Sequence, residues 1–184
     1  MKHYYQNIGE DWFTYPNLYS SMVRLFESGS AFVEVGSWKG RSACFMAVEI
    51  ENSGKKIKFD TVDTWLGSEE HAGYDIVDND GLYKEFIKNI EPVRHIINPI
   101  RTTSLKASEL YEDESLDFVF IDASHRYEDV LDDLNAWFPK VKKGGILAGH
   151  DYPSWEGVVR AVNEFFESKL LHFDCSEGCF IHRK

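Results

Sequence analysis

Residues 31–42 read AFVEVGSWKGRS, an apolar run that ends in a turn containing Gly36 and Gly40. The run predicts a buried strand, and the glycines predict a tight turn into a helix, because glycine allows positive φ and close approach of a ligand. The free N–H groups at the start of that helix suit an anionic or polar ligand. The spacing is G-x-x-x-G, whereas a dinucleotide-binding turn has G-x-G-x-x-G. The stretch therefore predicts a strand, a turn and a helix, and the turn either binds a ligand or serves only as a tight connection between the two elements.

Outward from this turn, short apolar runs alternate with longer amphipathic segments, which is the pattern of a parallel sheet covered by helices. Strands are predicted at residues 31–35, 57–62, 95–100, 116–121 and 146–148. Helices are predicted at residues 15–27, 41–51, 82–89, 103–111, 127–138 and 155–168, with an inserted loop at 64–80. The tail, LLHFDCSEGCFIHR, alternates with period two and predicts an antiparallel hairpin. We therefore expect an α/β fold, a Rossmann-like αβα sandwich with an antiparallel C-terminal hairpin.

Length and composition indicate one globular domain over residues 1–184, with a leader and helix at 1–30 and the sheet at 31–184. With 43% hydrophobic residues, the chain has enough apolar surface for a core. Its net charge of −11 disfavours contact with phosphate backbones and anionic membranes. We expect a small-molecule partner, no nucleic acid and no membrane. Three cysteines are too few for a disulfide framework, and no signal-like start or long apolar run occurs, so a cytoplasmic location is expected.

Residues just after the predicted strands are the candidates for binding, because ligands of doubly wound sheets lie beyond the carboxyl ends of the strands. Asp63 follows the second strand, and its carboxylate would accept hydrogen bonds from the hydroxyls of a ribose. Trp65 beside it would cover an adenine face. The alternative interpretations are a loop or helix-capping aspartate for Asp63 and ordinary packing for Trp65.

Asp122 and Asp151 follow the fourth and fifth strands, so both carboxylates are expected to face one crevice. Two neighbouring carboxylates favour a divalent cation, and Mg²⁺ suits oxygen ligands best. In the alternative interpretation, Asp122 caps the next helix and Asp151 makes a loop hydrogen bond. His125 lies three residues after Asp122 and has the chemistry of a general base, because imidazole titrates near neutrality. A purely structural histidine is the alternative there.

Five segments in a fixed order carry a resemblance to a known family. They are VEVGSWKGRS, VDTWLGS, LYKEFIKNI, LDFVFIDASHRYEDVLDDLNAW and KGGILAGHDY. Together they resemble the class I S-adenosylmethionine-dependent methyltransferases. More narrowly, they are similar to the methyltransferase domain 24 family, which is related to macrocin-type sugar O-methyltransferases. The resemblance implies a seven-stranded, mostly parallel sheet with a reversed last strand, and S-adenosylmethionine as the cofactor.

The resemblance also implies roles for individual residues. The cofactor-binding residues would be Glu34, Gly36, Ser37 and Gly40 at the methionine part, Asp63 at the ribose, Trp65 and Ser104 at the adenine, and Asp122. It makes His125 the general base and Asp122 with Asp151 the metal ligands. Two positions depart from the family pattern, since Trp38 stands where the common motif has a second glycine, and His150 stands where catechol enzymes have a carboxylate.

The sequence thus predicts an S-adenosylmethionine-dependent methyltransferase that methylates a hydroxyl of a small molecule, a sugar or related metabolite. Asp122 and His125 are its predicted catalytic residues, with Mg²⁺ assistance at Asp122 and Asp151. Two alternatives stay open: an NAD-dependent oxidoreductase, which shares the sheet, and a non-catalytic S-adenosylmethionine-binding module. Aromatic residues of the leader would cover the cofactor, pack locally or form a homodimer contact; they are Tyr4, Tyr5, Trp12 and Phe13.

Overall fold

The computed structural model describes residues 1–68, 75–169 and 171–184, and strands from these ranges form a single seven-stranded sheet. The strands are β1 (Ala31–Val35), β2 (Lys58–Asp63), β3 (Ile97–Arg101), β4 (Leu116–Ile121), β5 (Val141–Gly149), β6 (Asp174–Ser176) and β7 (Cys179–Arg183). Their order is β3-β2-β1-β4-β5-β7-β6. Strands β1 to β5 pair in parallel, and β7 runs antiparallel to β5 and β6. The predicted Rossmann-like sandwich with its reversed C-terminal strand is confirmed.

Helices cover both faces of this sheet. They are α1 (Pro16–Leu25), α2 (Arg41–Ser53), α3 (Gly81–Ile90), α4 (Ser104–Ser108), α5 (Tyr127–Trp137) and α6 (Glu156–Ser168). The first helix begins at a proline, which lacks the N–H that a first-turn residue would leave unpaired. Within the described ranges, no helix has the length and apolar character needed to cross a membrane.

Several element limits differ from the sequence-based expectation; for example, α4 ends at Ser108 instead of residue 111, and β3 begins at Ile97 instead of residue 95. Strand β5 begins at Val141, earlier than predicted, because Gly144 and Gly145 continue the strand through an irregularity in its register with β4. The inserted loop predicted at 64–80 contains a 3₁₀ helix, Asp75–Asp80, and its residues 69–74 lie outside the described ranges.

The side chains of β4 show how the sheet separates two apolar layers. Phe118 and Phe120 enter the layer formed with α1, α2 and α3, whereas Val119 and Ile121 enter the layer formed with α5 and α6. Successive residues of a strand point to opposite faces, so a strand covered on both sides must be apolar throughout. This explains why LDFVFI is nearly continuous in apolar residues.

The carboxyl ends of β1 and β4 are held unusually close together at Gly36. Its φ is +87°, and a Cβ at this position would overlap the carbonyl oxygen of Asp122. The Gly36 N–H donates to Val62 O at 2.8 Å, and the Asp122 N–H donates to Val35 O at 2.7 Å. Only glycine meets both the steric and the conformational requirement, so Gly36 positions the turn of β1 directly against the start of the loop after β4.

This contact predicts an unequal response to two glycine substitutions. Gly54, the C-cap of α2, has φ of +69° and open space around a Cβ, so Gly54→Ala costs only the left-handed backbone strain, about 1–2 kcal/mol. Gly36→Ala adds steric overlap with Asp122 and costs about 1–3 kcal/mol more. Equilibrium denaturant unfolding measures both losses, and equal losses for the two variants would contradict the proposed close contact.

Candidate active site

A cavity of about 680 Å³ opens at the carboxyl ends of the central strands. Its lining includes the leader at 10–15, the first turn at 35–39 with Arg41 and Ser42, residues 62–64, 67 and 68, the tips at 122–125 and 150–151, and Thr102, Ser104 and Trp155. This edge is where doubly wound sheets bind ligands. A second cavity, of about 520 Å³, lies around Lys55–Asp60 and His95, at the opposite edge, and contains none of the predicted site residues. We therefore place the site at the first cavity.

Asp63 organises the turn that follows β1. Its Oδ2 accepts hydrogen bonds from the backbone N–H groups of Ser37 at 2.8 Å and Trp38 at 3.0 Å, and its Oδ1 accepts from Trp65 N–H at 2.7 Å. A carboxylate offers about four acceptor positions, so about one remains for a ligand hydroxyl. Asp63 lines the cavity as predicted, but its first role here is to hold the turn in shape.

Three of the predicted cofactor-binding residues lie outside the cavity wall. Trp65 is fully buried, packs on Phe86 with ring centroids 4.5 Å apart, and donates from Nε1 to Trp38 O at 3.0 Å. The expectation that Trp65 covers an adenine face is therefore wrong, because its ring belongs to the core. Gly40 is the N-cap of α2, with φ of +84°, and a Cβ there would press on Phe86. Its glycine character thus serves helix packing instead of ligand contact.

The third residue outside the wall is Glu34, which is 1% exposed. Alternation along β1 turns its side chain toward α1, where Tyr19 donates its hydroxyl to Glu34 Oε2 at 2.7 Å. Burial raises the pKa of Glu34 to about 7, although the hydrogen bond from Tyr19 acts in the opposite direction. The expected contact between the Glu34 side chain and the methionine part of the cofactor is not made, because this carboxyl group lies behind the cavity.

The remaining cofactor candidates do line the cavity: Gly36, Ser37, Asp63, Ser104 and Asp122. Ser37 is buried at the turn and lies beside the Glu34 carboxyl, whose pKa it acts to lower. Ser104 Oγ accepts from Trp137 Nε1 at 2.8 Å, which fixes this serine at the start of α4. These positions agree with the expected path of the cofactor along the tips of β1, β2 and β3.

The tips of β4 and β5 bring Asp122, His150 and Asp151 together. One ligating atom from each of the three lies within 4.8 Å of the others. His150 Nδ1 is 3.3 Å from Asp151 Oδ1 and 3.6 Å from Asp122 Oδ1. Burial opposes a charged imidazole, but hydrogen bonds and charge from the two aspartates outweigh it and raise the pKa of His150 to about 10. The structure thus pairs Asp122 with Asp151 as predicted and adds His150 as a cationic partner.

His125 also joins this cluster, through Asp151. Its Nε2 is 2.7 Å from Asp151 Oδ2, and its ring stacks on Trp155 with centroids 4.1 Å apart and planes at 8°. Burial acts to raise the pKa of Asp151, but its hydrogen bonds with His125 and His150 prevail and hold that pKa well below its usual range. The Asp151 carboxylate and the Trp155 ring together fix the orientation of the His125 imidazole. The arrangement is that of an oriented base.

The leader forms a wall of the cavity through polar as well as aromatic side chains. Trp38 and Lys39 both hydrogen-bond to Glu10, at 2.9 and 2.6 Å, and Arg41 pairs with Asp11. Local packing was one expectation for the leader aromatics, and it holds for Tyr5 and Phe13, whose rings contact each other and Phe45. Trp12 and Phe13 also line the cavity. The sequence carries a sign of this contact, because the acidic pair Glu10 and Asp11 in the leader is complementary in charge to the basic pair Lys39 and Arg41 that flanks Gly40.

Tyr15 and Thr14 connect the leader to the polar cluster. The Tyr15 hydroxyl donates to Asp122 Oδ2 at 2.8 Å, and Thr14 Oγ1 hydrogen-bonds with His150 Nε2 at 2.9 Å. Burial, together with the charge of Asp122, raises the pKa of Tyr15 well above its ordinary value. The phenol is therefore a permanent donor to the carboxylate.

Comparisons with known proteins agree with this architecture. The O-methyltransferase NovP has a TM-score of 0.71 at 17% identity, over 92% of this chain and 78% of NovP. An S-adenosylmethionine-dependent O-methyltransferase from Thermotoga maritima has a TM-score of 0.59 at 14% identity, over 91% of this chain and 54% of that one. Aeropyrum pernix fibrillarin with bound S-adenosyl-L-methionine has a TM-score of 0.57 at 13% identity, over 90% and 74%. At these identities the likeness shows the fold.

Two matches at the level of sequence add to the similarity in fold. The uncharacterized protein y4gI of Sinorhizobium fredii is 28% identical over 119 residues, which are 65% of this chain and 13% of that protein. The chain therefore spans a small part of that relative's length. The family model described as a methyltransferase domain matches residues 33–152, more than half of the chain, from β1 to the tip of β5. The chain belongs to the methyltransferase domain 24 family, within the class I S-adenosylmethionine-dependent methyltransferases.

Proposed function

We propose that this protein transfers the methyl group of S-adenosylmethionine to a hydroxyl oxygen of a small molecule. The observation that carries the proposal is the oriented His125–Asp151 pair, which faces the same cavity as the turn held by Asp63. A cavity of about 680 Å³ must hold cofactor and acceptor together, which favours a small acceptor. The net charge of −11 further favours a neutral or cationic acceptor over nucleic acid.

The residues of the turn fit the cofactor. Gly36 gives a backbone without a side chain, Ser37 offers a hydroxyl at the cavity wall, and Asp63 keeps about one acceptor position for a ribose hydroxyl. Ser104 borders the same cavity where the adenine would lie. When bound, S-adenosylmethionine supplies a methyl group on a cationic sulfur.

In the proposed reaction His125 removes the proton of the acceptor hydroxyl. The oxygen forms its bond to the methyl carbon as the carbon–sulfur bond breaks, and the proton remains on the imidazole. Asp151 keeps the ring in place through Nε2 and stabilises the imidazolium that results. The stacked Trp155 ring restricts His125 to the same orientation. Alignment of the two reactants supplies most of the acceleration, and proton removal supplies the rest.

We also propose Asp122 and Asp151 as ligands of a divalent cation, Mg²⁺ in the first instance; His150 would be the third donor only after losing its proton as the ion binds. The support is that all three donor atoms lie within 4.8 Å of one another at the cavity wall. Such an ion would polarise the acceptor hydroxyl. His150 would contribute a nitrogen ligand, whereas Mg²⁺ prefers oxygen ligands alone. Mn²⁺ is therefore a second candidate for this set of two carboxylates and one imidazole.

The cofactor site is tested by Asp63→Asn. Whichever way the amide is turned, its NH₂ group meets a backbone N–H that the carboxylate now accepts, so the turn loses a hydrogen bond and gains a repulsive contact. We expect the affinity for S-adenosylhomocysteine, measured by titration calorimetry, to fall at least about tenfold, and the unfolding free energy to fall by about 1–3 kcal/mol.

Asp60→Asn is the matched control, because Asp60 lies on the same strand but accepts from the rotatable side chains of Asn98 and Tyr111, outside the cavity. Its affinity for S-adenosylhomocysteine should equal that of wild type. Unchanged binding by Asp63→Asn would contradict the assigned site, and tight binding of NAD in place of S-adenosylhomocysteine would favour the oxidoreductase alternative.

His125→Ala tests the base. We expect methyl transfer to fall by about 10²–10⁴-fold, because proton removal is lost, while the affinity for S-adenosylhomocysteine stays within a few fold. The assay is release of S-adenosylhomocysteine over a panel of sugars, catechols and small hydroxylated metabolites. His95→Ala is the control, since His95 is exposed at the opposite edge and pairs with Glu51. An active His125→Ala enzyme would refute the base assignment, and a wild type that binds cofactor without turnover would favour the non-catalytic module.

Cation dependence is tested by the same assay after chelation. EDTA treatment should abolish most of the turnover, and Mg²⁺ or Mn²⁺ should restore it in the wild type but not in Asp151→Asn, which has lost a carboxylate ligand. Turnover that is insensitive to EDTA would exclude the cation from the reaction and leave the His150 imidazolium as the positive charge between the two aspartates.

A further inference from the structure

The phenol of Tyr15 makes a buried hydrogen bond to one of the candidate catalytic residues. Tyr15 is 1% exposed, lies immediately before α1, and donates its hydroxyl to Asp122 Oδ2 at 2.8 Å. Its ring is fixed on several sides, with centroids 4.5 Å from Phe120, 4.7 Å from Phe13 and 4.8 Å from the His150 ring. The phenol therefore has little freedom to leave the carboxylate.

This hydrogen bond determines where the other oxygen of Asp122 points. With Oδ2 held by the phenol, Oδ1 is directed toward His150 Nδ1, 3.6 Å away. Thr14, the preceding residue, hydrogen-bonds with the opposite nitrogen of His150, Nε2, at 2.9 Å. Tyr15 and Thr14 thus hydrogen-bond with Asp122 Oδ2 and His150 Nε2. The other polar atoms of these two side chains, Asp122 Oδ1 and His150 Nδ1, face each other, and Asp151 Oδ1 lies 3.3 Å from His150 Nδ1.

We propose that Tyr15 is a positioning residue for methyl transfer, which orients the Asp122 carboxylate at the cavity through its hydroxyl. The inference rests on the proposed function and extends it to a residue outside the matched family region, which begins at Val33. Tyr15 itself acts only through Asp122, and the phenol neither gains nor loses a proton in the reaction.

Tyr19 offers a matched comparison within the same chain. It lies one helical turn further on, is 0% exposed, and donates its hydroxyl to a carboxylate, Glu34 Oε2, at 2.7 Å. That carboxylate lies behind the cavity wall, whereas Asp122 lines it. Replacing either tyrosine by phenylalanine removes one buried hydroxyl from one carboxylate, and the two variants differ in whether that carboxylate faces the reactants.

The experiment compares Tyr15→Phe and Tyr19→Phe with the wild type. Each variant is assayed for denaturant unfolding, S-adenosylhomocysteine affinity, and kcat and KM for the best acceptor of the panel. We expect similar losses of stability, unchanged cofactor affinity in both, and a kcat that falls about tenfold or more in Tyr15→Phe only. A purely structural role would affect both variants alike, so equal kcat values for the two would overturn the inference.

A second measurement separates this inference from the proposed function. If the wild type transfers no methyl group to any acceptor, the proposed function fails, and crystal structures of the two variants with S-adenosylhomocysteine decide the inference. A carboxylate of Asp122 that turns away from its wild-type orientation in Tyr15→Phe, and keeps it in Tyr19→Phe, supports the positioning role. A carboxylate that keeps its orientation in both variants overturns it.

Discussion

The architecture of the site depends on the contact between Gly36 and the carbonyl oxygen of Asp122. This contact leaves no space for a side chain, so the turn after β1 and the loop after β4 lie directly against each other. Backbone hydrogen bonds from Gly36 to Val62 and from Asp122 to Val35 connect the ends of β2, β1 and β4. The cofactor turn and the candidate catalytic residues therefore belong to one rigid edge of the sheet.

Around this edge, charge is arranged in small, mutually neutralising groups. Asp151 contacts two histidines, His125 through Oδ2 and His150 through Oδ1. Both contacts stabilise its charged form. Asp122 faces His150 on one side and a neutral phenol on the other. Two carboxylates and a cationic imidazole can thus share a partly buried cavity wall, because each negative group has a donor close by.

Much of the fold was predictable from the sequence, because periodicity is a local property. The alternation of apolar runs with amphipathic segments placed all the described elements of the sheet, and errors were confined to element ends such as the start of β5. The strand-tip rule also indicated Asp63, Asp122, His125 and Asp151, which all line the cavity. Glu34 and Gly40, which the family resemblance added, and Trp65 do not line it. The alternation of side chains along β1 was the signal that assigns Glu34 to the layer of α1.

The sequence by itself determined the strands, the C-terminal hairpin, the glycine turn after β1 and the acidic strand tips, since each of these follows from residues close together in the chain. Only the tertiary structure decided that the leader closes the site. Tyr15 and Asp122 are 107 positions apart, and Thr14 and His150 are 136 apart. Contacts over such separations leave no local pattern, because they form only when the packed layers bring the leader across the carboxyl edge of the sheet.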